Sequence, residues 1–190
     1  MTIIPWLSYA RTVPTDKCSR ARRKPEVIVL HISASPPRDT ESDRRRVDRW
    51  ATDERQSSTH VVIHRDGAID QMVPFTRRAW HVGKFSTLMG DAREVNQRCV
   101  GIDLMNEGPL TDSRTEWYDE RERCYEHHGG RAWETIPSAQ LSGLVRVVAD
   151  VRAVFGRPDL PILGHCDVAP TWRPDCPGAA VPWALLRGPI

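Results

Sequence analysis

The stretch EVIVLHIS, residues 26–33, constrains the fold of this chain more than any other. Val27 to Leu30 run apolar without alternation, so both faces of a strand built from them need cover. The breaker Pro36-Pro37 follows closely. The stretch therefore predicts a central buried strand.

The rest of the chain supplies its neighbours. TESDRRRVDRWATDE, residues 40–54, has acidic residues early and sets Val47 and Trp50 one turn apart, predicting an amphipathic helix. HVVIHRDGAIDQMVP, residues 60–74, reads as two strands joined at Arg65-Asp66-Gly67, where Asp-Gly suits a hairpin. RCVGIDLM, residues 98–105, is another strand. SAQLSGLVRVVADVRAVFGRP, residues 138–158, predicts a helix capped by Ser138, with Leu141, Leu144, Val148, Val151 and Phe155 on one face. Gly156 and Pro158 stop it. PILGH, residues 161–165, is a short strand that again ends in His, and AVPWALLRG closes in a helical turn or two. The polar stretch 106–134 reads as a surface excursion, not a second domain. The expected fold is α/β. A single domain, residues 26–190, holds a central mixed β-sheet flanked by helices, with an N-terminal extension at 1–25 and a polar insertion around 106–134.

Composition excludes several function classes. A formal net charge of +2 is too small to argue for nucleic acid, and the Arg-rich runs at 20–24 and 44–46 read as solvated faces. No segment approaches the roughly 20 apolar residues of a membrane span, so no membrane insertion is expected. The start, MTIIPWLSYARTVPTDK, lacks the basic and apolar regions of a secretory signal. That points to a cytoplasmic location, with any target in the cell wall reached through a separate lysis pathway. The five cysteines (18, 99, 124, 166 and 176) form no CxxC pair, which argues against a disulfide framework or a zinc finger.

The two strands that end in His carry the chemistry. If they are neighbours in the sheet, His31 and His165 emerge together at one edge. GHCDVAPTWRPDCPG, residues 164–178, then swings an Asp and a Cys back on a Pro-rich loop. A catalytic zinc takes three protein ligands and keeps a fourth position for water. His31, His165 and either Cys176 or Asp175 make such a set.

Four motifs sharpen this reading. VLHISASPP, STHVVIHRDGAIDQMVPFTRRAWHVG, CVGIDL and GHCDVAP occur in an order that resembles the zinc-dependent N-acetylmuramoyl-L-alanine amidases of the type-2 family. That family takes in phage amidase lysozymes, anhydro-muropeptide amidases and peptidoglycan recognition proteins. The motifs span most of residues 26–178, and QMVPFTRRAWHVG and GHCDVAP lie close to the anhydro-muropeptide branch.

The resemblance implies that His31 and His165 bind zinc. Aligning on Pro177-Gly178 makes Cys176 the third ligand, the stronger zinc donor; counting from His165 without a gap makes it Asp175. Asp103 stands where that branch has a catalytic Glu, one methylene shorter, and would be the general base. Glu107 lies past the motif and is a weaker substitute. Arg173 stands on the family's catalytic Lys and would stabilise the oxyanion, although it cannot donate a proton. Trp80 and His81 would line the sugar and peptide groove. Thr59 replaces a Tyr that some relatives use. His60 and His64 read as structural, His127-His128 as metal-free, and Cys166 as core.

The implied activity is zinc-dependent hydrolysis of the amide between N-acetylmuramic acid and L-alanine. The substrate would be peptidoglycan or an anhydro-muropeptide, and the enzyme a monomer serving as endolysin or in wall recycling. The alternative is a non-catalytic muropeptide-binding protein of the recognition type.

Overall fold

The structure, a computed structural model, describes residues 5–20, 24–83, 92–120 and 124–187. Two short strands, β1 (Arg11–Thr12) and β2 (Cys18–Ser19), precede the central strand β3 (Val27–Ile32) and helix α1 (Thr40–Thr52). Strands β4 (Val61–Ile63), β5 (Ile69–Gln71) and β6 (Arg78–Ala79) lead to α2 (Ala92–Arg98) and β7 (Cys99–Leu104). The insertion folds as α3 (Asp112–Asp119) and the strands β8 (Tyr125–His128) and β9 (Arg131–Glu134). The chain finishes with α4 (Ser138–Phe155), β10 (Ile162–Gly164), α5 (His165–Val168) and α6 (Trp183–Arg187).

Six strands form the main sheet in the order β1-β5-β4-β7-β3-β10. β4 and β5 form the antiparallel hairpin, and the other four pairs are parallel, so the sheet is mixed as expected. Gly67, at φ 83°, closes the hairpin, where a Cβ would lie 2.7 Å from the Ala139 carbonyl oxygen.

Period-2 alternation sorts the strands onto two covered faces. Ile28 and Leu30 of β3, Val100, Ile102 and Leu104 of β7, and Val61 and Ile63 of β4 join Leu144, Val147, Val148, Val151 and Phe155 of α4 in one core. On the other face Val62 packs with Val47 and Ala51 of α1, while Val27, Val29 and Cys99 pack with Val82, Val95 and Val168. His31, Gly101 and Asp103 occupy the alternate positions of their strands, so they share this second face.

Packing, more than capping, holds α4. Its N-cap residue is Pro137, with no side-chain cap bond, and Ser138 is already helical. This corrects the expected cap: the fixed φ of proline suits the extended entry here, at φ −58° and ψ 149°. Five buried apolar side chains at roughly 1.5–3 kcal/mol each outweigh the loss of about 1 kcal/mol from a missing cap.

The segment read as an N-terminal extension is built into the same body. Leu7 and Val13 are buried, β1 pairs with β5, and β2 pairs with β6. The Arg11 guanidinium grips buried Asp70 at 2.8 and 2.7 Å, and Asp70 also meets His64 at 2.9 Å.

The insertion has its own small cluster of Leu110, Tyr118 and Ala132. Arg65, from the hairpin turn, ties it to the sheet. It meets Glu134 at 2.6 Å and Asp43 of α1 at 3.0 Å, and donates to the Ser35 carbonyl at 2.6 Å. All three charged side chains are nearly excluded from water, so removing the cation strands two buried carboxylates. Arg65→Met should lower the unfolding free energy by about 3–5 kcal/mol in urea titrations. Arg45→Met, which breaks the exposed pair with Glu41 at 3.2 Å, should cost less than about 0.5 kcal/mol.

Candidate active site

Strand register assembles the site. His31 sits opposite Asp103 in the β3–β7 ladder. On the other side of β3, Gly164 of β10 sits opposite Leu30, so His165 follows directly beside His31. The Pro-rich loop returns over this junction, held by the Cys166 amide donating to the Cys176 carbonyl at 2.7 Å. A side chain at Gly164 would meet Pro177 at 2.7 Å, so only glycine lets that loop lie this close.

His31, His165 and Cys176 form a buried triad whose ligand atoms all lie within 4.8 Å of one another. It is the one such cluster of three among the described residues. The two Nδ1 atoms face each other at 3.0 Å. Each outer nitrogen has its own partner: His165 Nε2 meets the Val82 carbonyl at 3.0 Å, and His31 Nε2 meets His81 Nδ1 at 2.9 Å. The carbonyl can only accept, so His165 carries its proton on Nε2 and presents a lone pair on Nδ1. This is the outer hydrogen bonding that metal-binding imidazoles use. A tetrahedral zinc site needs donor separations of roughly 3.3–3.6 Å, so small shifts bring this set to fit. Asp175 lies outside the triad: it is exposed and its carboxylate pairs with Arg131 at 3.1 Å.

His81 reaches His31 because residue 101 is glycine. A Cβ there would lie 2.7 Å from the His81 ring. The Gly101 amide donates to His60 Nδ1 at 3.0 Å, which leaves the His60 Nε2 proton for the Arg77 carbonyl at 3.1 Å. His60 thus braces the strand, and His64 serves Asp70 as described above.

The side chains of the site are buried, and burial dominates their electrostatics. Burial holds His31 well below its ordinary range, helped by His165, His81 and Arg173. Burial also lowers His165, against the opposing pull of the Val82 hydrogen bond. It pushes the Cys176 thiol up to about 12. Burial raises the Asp103 carboxyl to about 7, while the Thr59 hydroxyl and the Arg173 charge act in the opposite direction. The imidazoles are therefore neutral donors at neutral pH, and the thiol keeps its proton until a cation displaces it.

A cavity of about 800 Å³ opens from the triad, with Asp103, His81 and Arg173 in its wall. Trp80 does not line it. The Trp80 indole donates to Ser19 Oγ at 2.8 Å and packs toward β2. The aromatic residue at the rim is instead Trp172, 53% exposed, and α1 contributes Arg46, Arg49 and Trp50. Sequence reasoning passed over all four, and their one signal was position beside Arg173 or on a helix flanking the sheet. Glu107 is committed elsewhere, bound by Arg114 at 2.6 and 2.7 Å. His127 and His128 lie on β8 in the insertion, where His128 meets Glu126 at 3.1 Å. Cys166 is half-buried and not a core residue, because His165 starts a helix, where sequence neighbours do not take opposite faces.

Known proteins place this architecture. The family model described as N-acetylmuramoyl-L-alanine amidase matches residues 21–179. The 1,6-anhydro-N-acetylmuramyl-L-alanine amidase AmpD of Escherichia coli strain K12 is 29% identical over 96% of this chain and 92% of its own. Among solved structures, a selenomethionine AmpD derivative superposes with a TM-score of 0.64 at 24% identity, covering 98% of both chains. The E. coli amidase AmiD, in complex with anhydro-N-acetylmuramic acid-L-Ala-D-γ-Glu-L-Lys, gives 0.61 at 26% identity, over 87% of this chain and 57% of that one. With a family model matching most of its length, the chain belongs to the amidase-2 family of N-acetylmuramoyl-L-alanine amidases.

Proposed function

We propose that the chain is a zinc-dependent amidase of wall recycling. It cleaves the bond between the lactyl group of N-acetylmuramic acid and L-alanine in anhydro-muropeptide fragments. The observation that carries this is the His31–His165–Cys176 triad set beside buried Asp103 at the ends of β3, β10 and β7. The curated relatives named as anhydro-muramyl amidases favour soluble fragments over polymeric wall as substrate. The AmpD relatives suggest a cytoplasmic place of work. No helix among the described residues is long and apolar enough to cross a membrane.

His31, His165 and Cys176 would hold the metal. When bound, zinc supplies a Lewis acid for the carbonyl and brings a water toward a pKa of about 7. Asp103 faces the same cavity and takes the proton of the attacking water. Burial raises its basicity toward the neutral range that suits a general base. The Arg173 guanidinium stabilises the oxyanion but cannot release a proton. Asp103 must therefore also return the proton to the leaving nitrogen of L-alanine.

Mass spectrometry of anhydro-muropeptide and of peptidoglycan after incubation with the protein tests the reading. Free stem peptide beginning in L-alanine, lost on chelation and restored by zinc, is expected, with the soluble fragment consumed faster. Intact substrates from folded, zinc-loaded protein would favour a binding protein. Asp103→Asn should cut kcat by about 10²–10⁴-fold while zinc content stays the same.

Proton release on metal binding identifies the third ligand. His31 and His165 are neutral in the neutral range, so they release nothing when they bind. The Cys176 thiol, at about 12, is protonated and must release one proton. Between about pH 8 and 9.5 the zinc Kd, measured by chelator competition, should fall with pH about one factor of ten per unit more steeply in wild type than in Cys176→Ala, the proton released by the metal's water being common to both. Cys176→Ala should also weaken zinc binding, and Asp175→Asn should change neither the affinity nor the slope.

A further inference from the structure

Part of the wall of the cavity that reaches the triad is cationic. Arg46 and Arg49 of α1 line it, three residues apart and so on one face of the helix. Arg55 lines it too but is paired with Asp53 at 2.5 Å. The aspartates in the lining do not neutralise this wall, since Asp103 is buried at the triad and Asp175 is taken by Arg131.

Arg46 is half-buried, and its terminal nitrogen donates to Ser35 Oγ at 2.7 Å. Its Nε is buried with no hydrogen-bond partner. Three like charges, Arg38, Arg49 and Arg65, act on it, and the one opposing charge, Asp43, already serves Arg65 at 3.0 Å. Arg49 is exposed and makes no side-chain ion pair among the described residues. By contrast, Arg45 on the same helix pairs with Glu41. A structural role explains neither the crowding of positive charge nor its placement in the wall of a cavity that ends at the triad.

Guanidinium groups in such a setting suit carboxylates, which they bind by charge-assisted and often paired hydrogen bonds. The peptide in the AmiD complex, L-Ala-D-γ-Glu-L-Lys, shows what a muropeptide offers. A γ-linked glutamate keeps its α-carboxylate, and the last residue keeps another. We propose that Arg46 and Arg49 form a carboxylate-binding subsite that holds the free carboxylates of the stem peptide along α1, and that it selects anionic over amidated peptides. The proposal rests on the amidase reading of the triad. It also gives the substrate a direction, with the scissile amide at the triad and the peptide running toward α1.

The test compares two substrates with the same sugar: anhydro-N-acetylmuramyl-L-Ala-D-γ-Glu-L-Lys, and its counterpart with both peptide carboxylates amidated. Zinc-loaded wild type should favour the carboxylate form in kcat/KM by about 10- to 100-fold, mostly through KM, and less so at high salt. Arg46→Gln with Arg49→Gln should bring that ratio close to one. Arg49→Gln alone, at an exposed position, should lower it several-fold even if the double variant folds poorly. Arg45→Gln, outside the cavity, should leave it as in wild type. An unchanged ratio in the Arg49 variant, or equal losses on both substrates, overturns the subsite. Cleavage of neither substrate by the wild type overturns the amidase reading beneath it.

Discussion

The pairing of β3 with its two parallel neighbours is the constraint on which the site depends. The ladder sets His31 against Asp103 on one side and leads into His165 on the other. A one-residue slip in either pair would turn a functional side chain to the opposite face, because side chains alternate with period two. The register is defended by burial. Ile28, Leu30, Ile102 and Leu104 are fully buried against α4, so a slip would cost several of those contacts at roughly 1.5–3 kcal/mol each. The stability of the core and the geometry of the site are thus one property of the sheet.

Around the triad, the second layer fixes orientation. The Val82 carbonyl dictates the His165 tautomer, and His81 holds the far side of the His31 ring. His81 can do so only because Gly101 leaves its ring room, and Gly101 is itself braced by His60. Burial makes these bonds count, and the same burial that keeps both imidazoles neutral raises Asp103 and the Cys176 thiol. The facing imidazole nitrogens and the buried thiol make a donor set of the kind that suits a cation.

Much of this was legible in the sequence, and the rest has identifiable reasons for being hidden. Strands that announce themselves by apolar runs rich in β-branched residues, such as residues 27–30, and the long helix at 138–155 were found where expected. The nearness of His31 and His165 was legible too, since each stands at or just past the end of a short strand and the two strands are neighbours. The N-terminal strands β1 and β2 span two residues each, too short to show any period, and are held by partners far along the chain. Cys176 and Asp175 are adjacent on an irregular loop, where counting cannot say which side chain turns inward. The structure separates them through the Arg131 pair and the burial of the cysteine. Trp80 and Trp172 show the same limit. Both sit next to a residue of the cavity wall, and only packing reveals that the first turns to Ser19 and the second to the rim. The arginines of α1 looked like a solvated face because helical periodicity does not disclose a cavity beside it.

The most direct measurement is X-ray absorption spectroscopy of the zinc-loaded protein at neutral pH. A site made by His31, His165 and Cys176 should show one sulfur at about 2.3 Å and two imidazole nitrogens at about 2.0–2.1 Å, with a further light-atom donor completing four. A shell of nitrogen and oxygen alone would contradict it, placing a carboxylate where the thiolate is assigned and breaking the link between strand register, loop return and metal.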